Sequence, residues 1–231
     1  MTMKRAFPVF GLLTLVLLSF ALYEALIGAP TERTMGEVQR IFYYHVSSAW
    51  TAFLLFLTNF IASVVYLAKK NSKADAVAAV TAEVGVLFCS VVLVTGPLWA
   101  RPVWGIWWTW DMRLTLTLVL WLIYVSYLVL RRFSTSSQTA VIAAALSIFG
   151  AVDVPLVYFS IWYFRTQHPS PVIGRGGSLD ARMWHVLLIN WAAFLCFAFL
   201  ICWSRYRLER LRRDVEETQA LEALLEPRGV R

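Results

Sequence analysis

Charged side chains are scarce in this sequence, and their distribution is uneven. Only 15% of the 231 residues are Asp, Glu, Lys or Arg, whereas a soluble domain carries roughly 25%. Charges are missing from whole stretches of about twenty residues, the length that an α-helix needs to cross a hydrocarbon core of ~30 Å. The composition therefore excludes an ordinary soluble domain and predicts a membrane protein.

Cysteine is also rare. Cys89 and Cys196 fall in the middle of apolar runs, Cys202 lies near the end of one, and no two of them form a C-x-x-C pair. An odd number of scattered cysteines predicts neither a disulfide framework nor a zinc site. The sequence also leaves no room for a P-loop or a dinucleotide fold, so we expect no nucleotide site and no enzymatic activity of the chain's own.

Six apolar segments occupy most of the chain. They cover residues 7–27, 47–68, 79–98, 114–130, 139–162 and 183–203. At ~1.5 Å rise per residue each is long enough to span a bilayer. We therefore predict an all-α, polytopic membrane protein, with a six-helix transmembrane domain over residues 1–203. Leucines at helical spacing among charges predict a cytoplasmic amphipathic tail helix over residues 204–231.

The basic residues predict the orientation. Fourteen of the 21 Lys and Arg residues lie on the side that holds both termini and the short connections 69–78 and 131–138. By the positive-inside rule this side is the cytoplasm. The longer loops, at about 28–46, 99–113 and 163–182, are then expected on the periplasmic side of a bacterial inner membrane. Because the positive charges cluster at helix ends beside the lipid, we expect no nucleic-acid partner.

The segment 99–113, here called the Trp loop, has an unusual composition. Five of the chain's eleven tryptophans lie in it: Trp99, Trp104, Trp107, Trp108 and Trp110. Tryptophan favours membrane interfaces in general, but it is usually distributed among several helix ends. On a helix, Trp104, Trp108 and Asp111 would share one face. We interpret the Trp loop as a stiff apolar plate with a polar edge, suited to a large flat hydrophobic ligand.

Two of the three histidines are predicted on the periplasmic side. His45 lies at the start of the second helix and His168 just beyond the fifth, so their loops flank the Trp loop in sequence. Two imidazoles and an aromatic plate are the parts that a heme needs for its iron and its porphyrin. Arg40 and Arg113 are candidate partners of the propionates. Each histidine alone is equally well explained as an interface residue with a satisfied hydrogen bond.

Two further polar residues lie within predicted helices. His185 is near the start of the sixth helix, where a structural role is favoured over that of a spare ligand. Asp153 is buried deeper, beside Pro155 in the fifth helix. An ionisable residue at membrane depth is costly and points to a function, although this one is equally explained as a local polar anchor.

These motifs resemble those of a known family. Residues 104–115, WGIWWTWDMRLT, are similar to the WWD signature of the heme-handling proteins of cytochrome c maturation. Among those proteins, the size and six-helix layout resemble the CcmC family, heme exporter protein C. Residues 39–50, QRIFYYHVSSAW, and residues 150–160, GAVDVPLVYFS, resemble two further family motifs. Ser47 departs from the family's usual Pro, and residues 162–168 depart from its second histidine motif.

The resemblance implies a site and partners. It implies heme b as the ligand, with His45 and His168 as axial ligands of the iron. The predicted heme-binding set is completed by Trp104, Gly105, Trp108, Trp110, Asp111, Arg113 and Arg40. The resemblance also implies transfer of heme to a periplasmic CcmE-like heme chaperone, within a membrane complex that includes a CcmA/CcmB ABC transporter and a CcmD-like small subunit.

Two alternative functions remain open from the residues. A cytochrome b-like electron-transfer subunit would ligate heme with histidines inside facing helices, where this chain offers only His185 near a helix end. A permease subunit of an ABC-type heme transporter would need polar groups along a path through the membrane midplane. Asp153 alone meets that requirement.

Overall fold

The chain folds as a bundle of long α-helices in a computed structural model that describes residues 3–134, 136–170 and 179–225. The six helices in these ranges are α1 (Met3–Tyr23), α2 (Ile41–Lys69), α3 (Ser72–Trp104), α4 (Met112–Phe133), α5 (Thr139–Tyr163) and α6 (Ala181–Leu225). A π-helical turn, Glu24–Gly28, follows α1, and a 3-10 turn, Glu37–Arg40, precedes α2. All six helices are long and apolar enough to cross a membrane. The predicted all-α fold with six spanning helices is confirmed.

The central helix of the bundle is α2. It packs most extensively on α3 and also contacts α5 and α6, while α4 pairs with α5 and α1 packs chiefly on α6. Because successive helices alternate in direction, the connections 29–40, 105–111 and 164–170 lie at one end of the bundle, here called the loop end. The connections 70–71 and 136–138 lie at the other end, here called the short-turn end.

Two residues join α2 to α3. Lys70 adopts a left-handed conformation with φ of 51°, and its N–H donates to the Tyr66 carbonyl over 2.7 Å. Asn71 then caps α3, because its side-chain oxygen accepts hydrogen bonds from the N–H groups of Lys73 and Ala74. Because of this turn, α3 begins at Ser72, well before the apolar run 79–98 that predicted it. The turn also brings α2 and α3 side by side, and the two helices pack on each other.

The half of the bundle nearest the short-turn end is densely packed. Phe56 of α2 stacks on Tyr124 of α4, and both side chains are fully buried. Two glycines permit this approach: a Cβ added at Gly85 would lie 2.6 Å from the Phe56 ring, and one added at Gly150 would lie 2.9 Å from Ile123. In this half of the bundle, large side chains of one helix therefore pack directly on the backbone of its neighbour at a glycine.

A buried ion network closes the short-turn end. Asp75 of α3 accepts two hydrogen bonds from the Arg131 guanidinium of α4, at 2.7 and 2.8 Å, and a third from Arg213 of α6 at 2.8 Å. Paired in this way, the buried carboxylate avoids the large cost of an isolated charge. The network ties three helices together where they leave the apolar layer.

Helix α6 is continuous for 45 residues. The segment predicted as a tail helix is, as far as Leu225, part of the same helix as the sixth span, and residues 226–231 lie outside the described part. Arg205 pairs with Glu83 and Arg213 with Asp75 on the side that contacts α3. Among the leucines that suggested an amphipathic helix, Leu208, Leu211, Leu221 and Leu225 are exposed.

Candidate functional site

A cavity of about 660 Å³ lies in the half of the bundle nearest the loop end, within the ~300–1,000 Å³ typical of small-molecule sites. Its walls come from α2, α3, α4, α5 and the beginning of α6. Phe53 and Cys89 line it at its inner end, and Glu32 and Ser170 line it among the loops. The cavity is mostly apolar, with a small number of polar groups in its walls.

His45 lines this cavity from within α2. The sequence placed it in the loop 28–46, but the 3-10 turn before Ile41 starts the helix earlier, so His45 lies in its second turn. Its Nδ1 is 2.9 Å from the Thr95 hydroxyl of α3, and that hydroxyl donates its proton to the Val91 carbonyl over 2.7 Å. A hydroxyl has one proton to donate. With that proton on the Val91 carbonyl, Thr95 accepts from His45, an arrangement that puts the ring hydrogen on Nδ1 and leaves Nε2 as a lone-pair acceptor.

His168 lines the same cavity from the segment that follows α5. Its backbone N–H donates to the Thr166 hydroxyl at 3.1 Å, and its ring Nδ1 lies 2.8 Å from the Pro169 carbonyl. A carbonyl only accepts, so Nδ1 carries the hydrogen and Nε2 is again the free acceptor. Burial, the Arg113 charge and His45 together lower the pKa of His168 to about 3. The ring is therefore neutral at ordinary pH, as a metal ligand must be.

The two histidines lie next to each other. Their ring centroids are 6.3 Å apart and their planes are inclined by 37°. Two acceptor nitrogens cannot hydrogen-bond to each other. The Nε2 atoms of His45 and His168 therefore need a hydrogen-bond donor or a metal ion from another molecule or residue. Within the described residues, no third His, Cys, Asp or Glu joins them in a group that could hold a metal ion.

Arg113 and Trp108 line the same cavity wall. The Arg113 guanidinium has two long contacts of 3.4 Å, to the carbonyls of Val157 and Tyr158, and it forms no ion pair with any described residue. The Trp108 indole N–H is buried without a partner among those residues. Buried charges and donors are normally paired. Arg113 is therefore a cationic group of the cavity wall that its two long carbonyl contacts satisfy only weakly.

The Trp loop is divided between the cavity wall and the surface. Trp99, Trp104, Trp107 and Trp108 line the cavity, with Trp99 and Trp104 in edge-to-face contact at 5.1 Å. Trp110 does not line it, and its side chain is 76% exposed. The plate is therefore built from the end of α3 and the connection after it.

The expectation that Trp104, Trp108 and Asp111 share one helix face is wrong. Helix α3 ends at Trp104, because Gly105 adopts a left-handed conformation with φ of 79°. Asp111 then caps α4 by accepting from the Leu114 N–H at 3.1 Å and from the Thr109 hydroxyl at 2.8 Å. Gly105 and Asp111 therefore shape the loop and do not line the cavity.

Arg40 is placed away from the cavity as well. Its guanidinium pairs with Glu37 and donates to the carbonyls of Ala25 and Ala29 at 3.0 and 3.3 Å. It thus holds the connection between α1 and α2. His185 is exposed on α6, and Asp153 is buried with one carboxylate oxygen unpartnered among the described residues; neither lines the cavity.

Several residues at or behind the cavity wall carried no sequence signal. Thr95, which lies behind His45 and does not itself line the cavity, is the clearest case, because it lies within an apolar run 50 positions from the histidine it contacts. Cys89 and Val92 line the cavity from within an apolar helix. Their periodic surroundings predict burial, but a single sequence does not say which buried face borders a cavity.

Comparison with known proteins is consistent across the chain. The family described as heme exporter protein C matches residues 1–221. The heme exporter protein C of Bradyrhizobium diazoefficiens is 35% identical over 222 residues, covering 95% of this chain and 84% of the relative. That of Haemophilus influenzae is 34% identical over 212 residues, covering 90% and 86%. That of Escherichia coli K12 is 31% identical over 185 residues, covering 80% and 73%. The chain therefore belongs to the heme exporter protein C family.

Proposed function

We propose that this protein binds heme b at the loop end of the bundle and transfers it to a periplasmic CcmE-like heme chaperone for cytochrome c maturation. The observation that carries the proposal is the pair His45 and His168, which line one cavity and whose Nε2 atoms form no hydrogen bond with a described residue. Heme is the cargo of the chain, and we propose no catalytic step for it.

The spacing of the histidines supports iron ligation. Two imidazoles on opposite faces of one metal have ring centroids ~6 Å apart, from metal–nitrogen bonds of ~2 Å and about 1 Å from each nitrogen to its ring centre. The observed separation is 6.3 Å. The fixed Nδ1–H tautomers also present the nitrogen that a metal would take.

The cavity wall supports the rest of the ligand. The Arg113 guanidinium, which forms no ion pair with a described residue and has only two long carbonyl contacts, is suited to a propionate, and Trp104 and Trp108 offer aromatic surface to the porphyrin. Gly105, Asp111 and Arg40 belong to the site as residues that hold its loops in place. Trp110, exposed at the loop end, is available to the protein that receives the heme.

The setting of the site follows the charge distribution. We propose that the loop end faces the periplasm from a bacterial inner membrane and that both termini are cytoplasmic, since most Lys and Arg residues lie at the short-turn end. The partners that we propose are a CcmA/CcmB ABC transporter, which would supply any ATP-driven work, and a CcmD-like small subunit. The relatives' shared name, heme exporter protein C, supports this context.

The alternative functions have less support. A permease subunit would need a polar route through the bundle, whereas the half nearest the short-turn end is filled by Phe56 and Tyr124 and closed by the Asp75 network. A cytochrome b-like subunit would hold heme between facing helices, whereas here one of the two histidines, His168, lies outside the helices.

The visible absorption spectrum of the purified protein tests the proposal. We expect a heme Soret band from the wild type and from the control His185→Ala, because His185 is exposed and does not line the cavity. We expect His45→Ala and His168→Ala each to weaken or shift the band. A wild type that binds no heme when the chaperone is absent, or two variants with wild-type spectra, would refute the assignment.

A further inference from the structure

A two-step hydrogen-bond relay connects His45 to the neighbouring helix. His45 Nδ1 lies 2.9 Å from the Thr95 hydroxyl, which donates to the Val91 carbonyl at 2.7 Å, so in this relay the Nδ1–H is the donor to Thr95. The relay crosses from α2 to α3 and ends on helix backbone. It is therefore anchored to the most extensive helix pair of the bundle.

The His45 ring also rests against the backbone of α3. A Cβ built on Gly96 would lie 3.5 Å from His45 Cε1, so the imidazole sits beside the turn of α3 that carries Thr95. The ring is thus held both at one edge, by the hydroxyl, and along its side, by the helix. These two contacts, and not solvent, set the direction in which His45 Nε2 points.

We propose that Thr95 is a positioning residue that sets the tautomer, orientation and donor strength of His45 as a heme-iron ligand; this inference rests on the proposed function. Thr95 does not touch the iron and acts through the imidazole. A hydrogen bond accepted from Nδ1–H makes the opposite nitrogen a stronger donor to a metal, and loss of such a partner typically costs ~10–100-fold in metal affinity.

The two histidines differ in how they are held. The Nδ1–H of His168 donates to a backbone carbonyl of the adjacent residue, Pro169, so no side-chain substitution at the acceptor abolishes that bond. The Nδ1–H of His45 depends on one hydroxyl. Thr95 is therefore the position at which ligand strength is adjustable by mutation.

The test compares Thr95→Val, which keeps the shape and removes the hydroxyl, with Thr95→Ser, which keeps the hydroxyl. The matched control is Thr58→Val, because the Thr58 hydroxyl also donates to the carbonyl four residues earlier, Leu54, but on the exposed side of α2. Heme is titrated into each apo protein in detergent, and the midpoint potential of the bound heme is measured by spectroelectrochemistry.

We expect Thr95→Val to bind heme ~10–100-fold more weakly. Its midpoint potential should rise, because a weaker donor nitrogen stabilises the ferric state less. Thr95→Ser should restore both values, and Thr58→Val should match the wild type. A merely structural role for Thr95 would change thermal stability without moving the potential.

Unchanged affinity and potential in a folded Thr95→Val protein would overturn the inference while leaving the proposed function intact, provided that His45→Ala still loses heme. If His45→Ala and His168→Ala both keep wild-type heme, the proposed function itself has failed. The two failures are therefore separate outcomes of one set of variants.

Discussion

Phe56 of α2 and Tyr124 of α4 stack face to face, with ring centroids 3.8 Å apart and ring planes inclined by 11°. This contact lies on the side of the cavity that faces the short-turn end, and it separates the cavity from the Asp75 network. The half of the bundle nearest the loop end therefore contains the cavity, and the half nearest the short-turn end is filled with side chains. The packing that fills it can be tested independently of heme.

The first prediction concerns Gly85, whose missing side chain lets α3 approach the Phe56 ring. In Gly85→Ala the added Cβ would meet a rigid ring at 2.6 Å, and overpacking of this kind costs about 1–3 kcal/mol. We expect a lower free energy of unfolding in detergent and, in the protein that remains folded, an unchanged Soret position.

The control for this prediction is Gly11→Ala in α1. A Cβ there finds its nearest neighbour at 4.0 Å, so the better helix propensity of Ala should leave stability equal or raise it by up to about 1 kcal/mol. Equal stabilities for the Gly85 and Gly11 variants would contradict the close packing described for Phe56.

The second prediction concerns Arg113. Removing a charged hydrogen-bond donor costs about 1.5–3 kcal/mol, which corresponds to roughly 10–100-fold in affinity. We therefore expect Arg113→Gln to weaken heme binding by that factor in a titration, and Arg113→Lys to lose less because it keeps the charge. Arg165→Gln, a change at an exposed arginine near His168, serves as the control and should bind heme normally. Wild-type affinity in Arg113→Gln would exclude Arg113 as a propionate partner.

The third prediction concerns Asp75. Asp75→Asn leaves the partly buried guanidinium groups of Arg131 and Arg213 without their carboxylate, and breaking a buried pair in this way costs about 3–5 kcal/mol. We expect a correspondingly lower unfolding free energy and greater protease sensitivity of the α6 segment beyond the bundle.

Glu83→Gln is the matched comparison for Asp75→Asn. Its ion pair with Arg205 is also between α3 and α6, but side chains of 43% and 46% exposure form it, so the loss should stay within about 1 kcal/mol. If Asp75→Asn and Glu83→Gln lower the free energy of unfolding by the same amount, burial does not determine the strength of these two ion pairs.

The six spans could be predicted from sequence because the bilayer thickness sets a length of about twenty apolar residues. Helix ends could not, because helices continue into polar residues wherever backbone hydrogen bonds and caps allow. Helix α2 begins at Ile41, so His45 is in a helix and not in a loop. This difference matters for function, since it fixes one of the two candidate ligands to the rigid part of the bundle.

The interior of the Trp loop shows a different limit. Gly105 and Asp111 are typical helix-ending and helix-capping residues, and they break the helix that the Trp spacing suggested. Gly105 and Asp111 are therefore a signal in the sequence that α3 ends and α4 begins within the Trp loop. The contact of His45 with Thr95 is of another kind, because it depends on the relative rotation of α2 and α3, which no single sequence specifies.

The pair of histidines has a consequence for selectivity between metals. Zinc and similar free ions usually take three or four protein ligands, and within the described residues no third His, Cys, Asp or Glu completes a set around His45 and His168. Iron in a porphyrin already has four equatorial nitrogens and needs only two axial ligands. As the heme ligands that we propose, the two imidazoles would therefore bind bare ions weakly and complete the coordination of an iron that arrives inside a porphyrin.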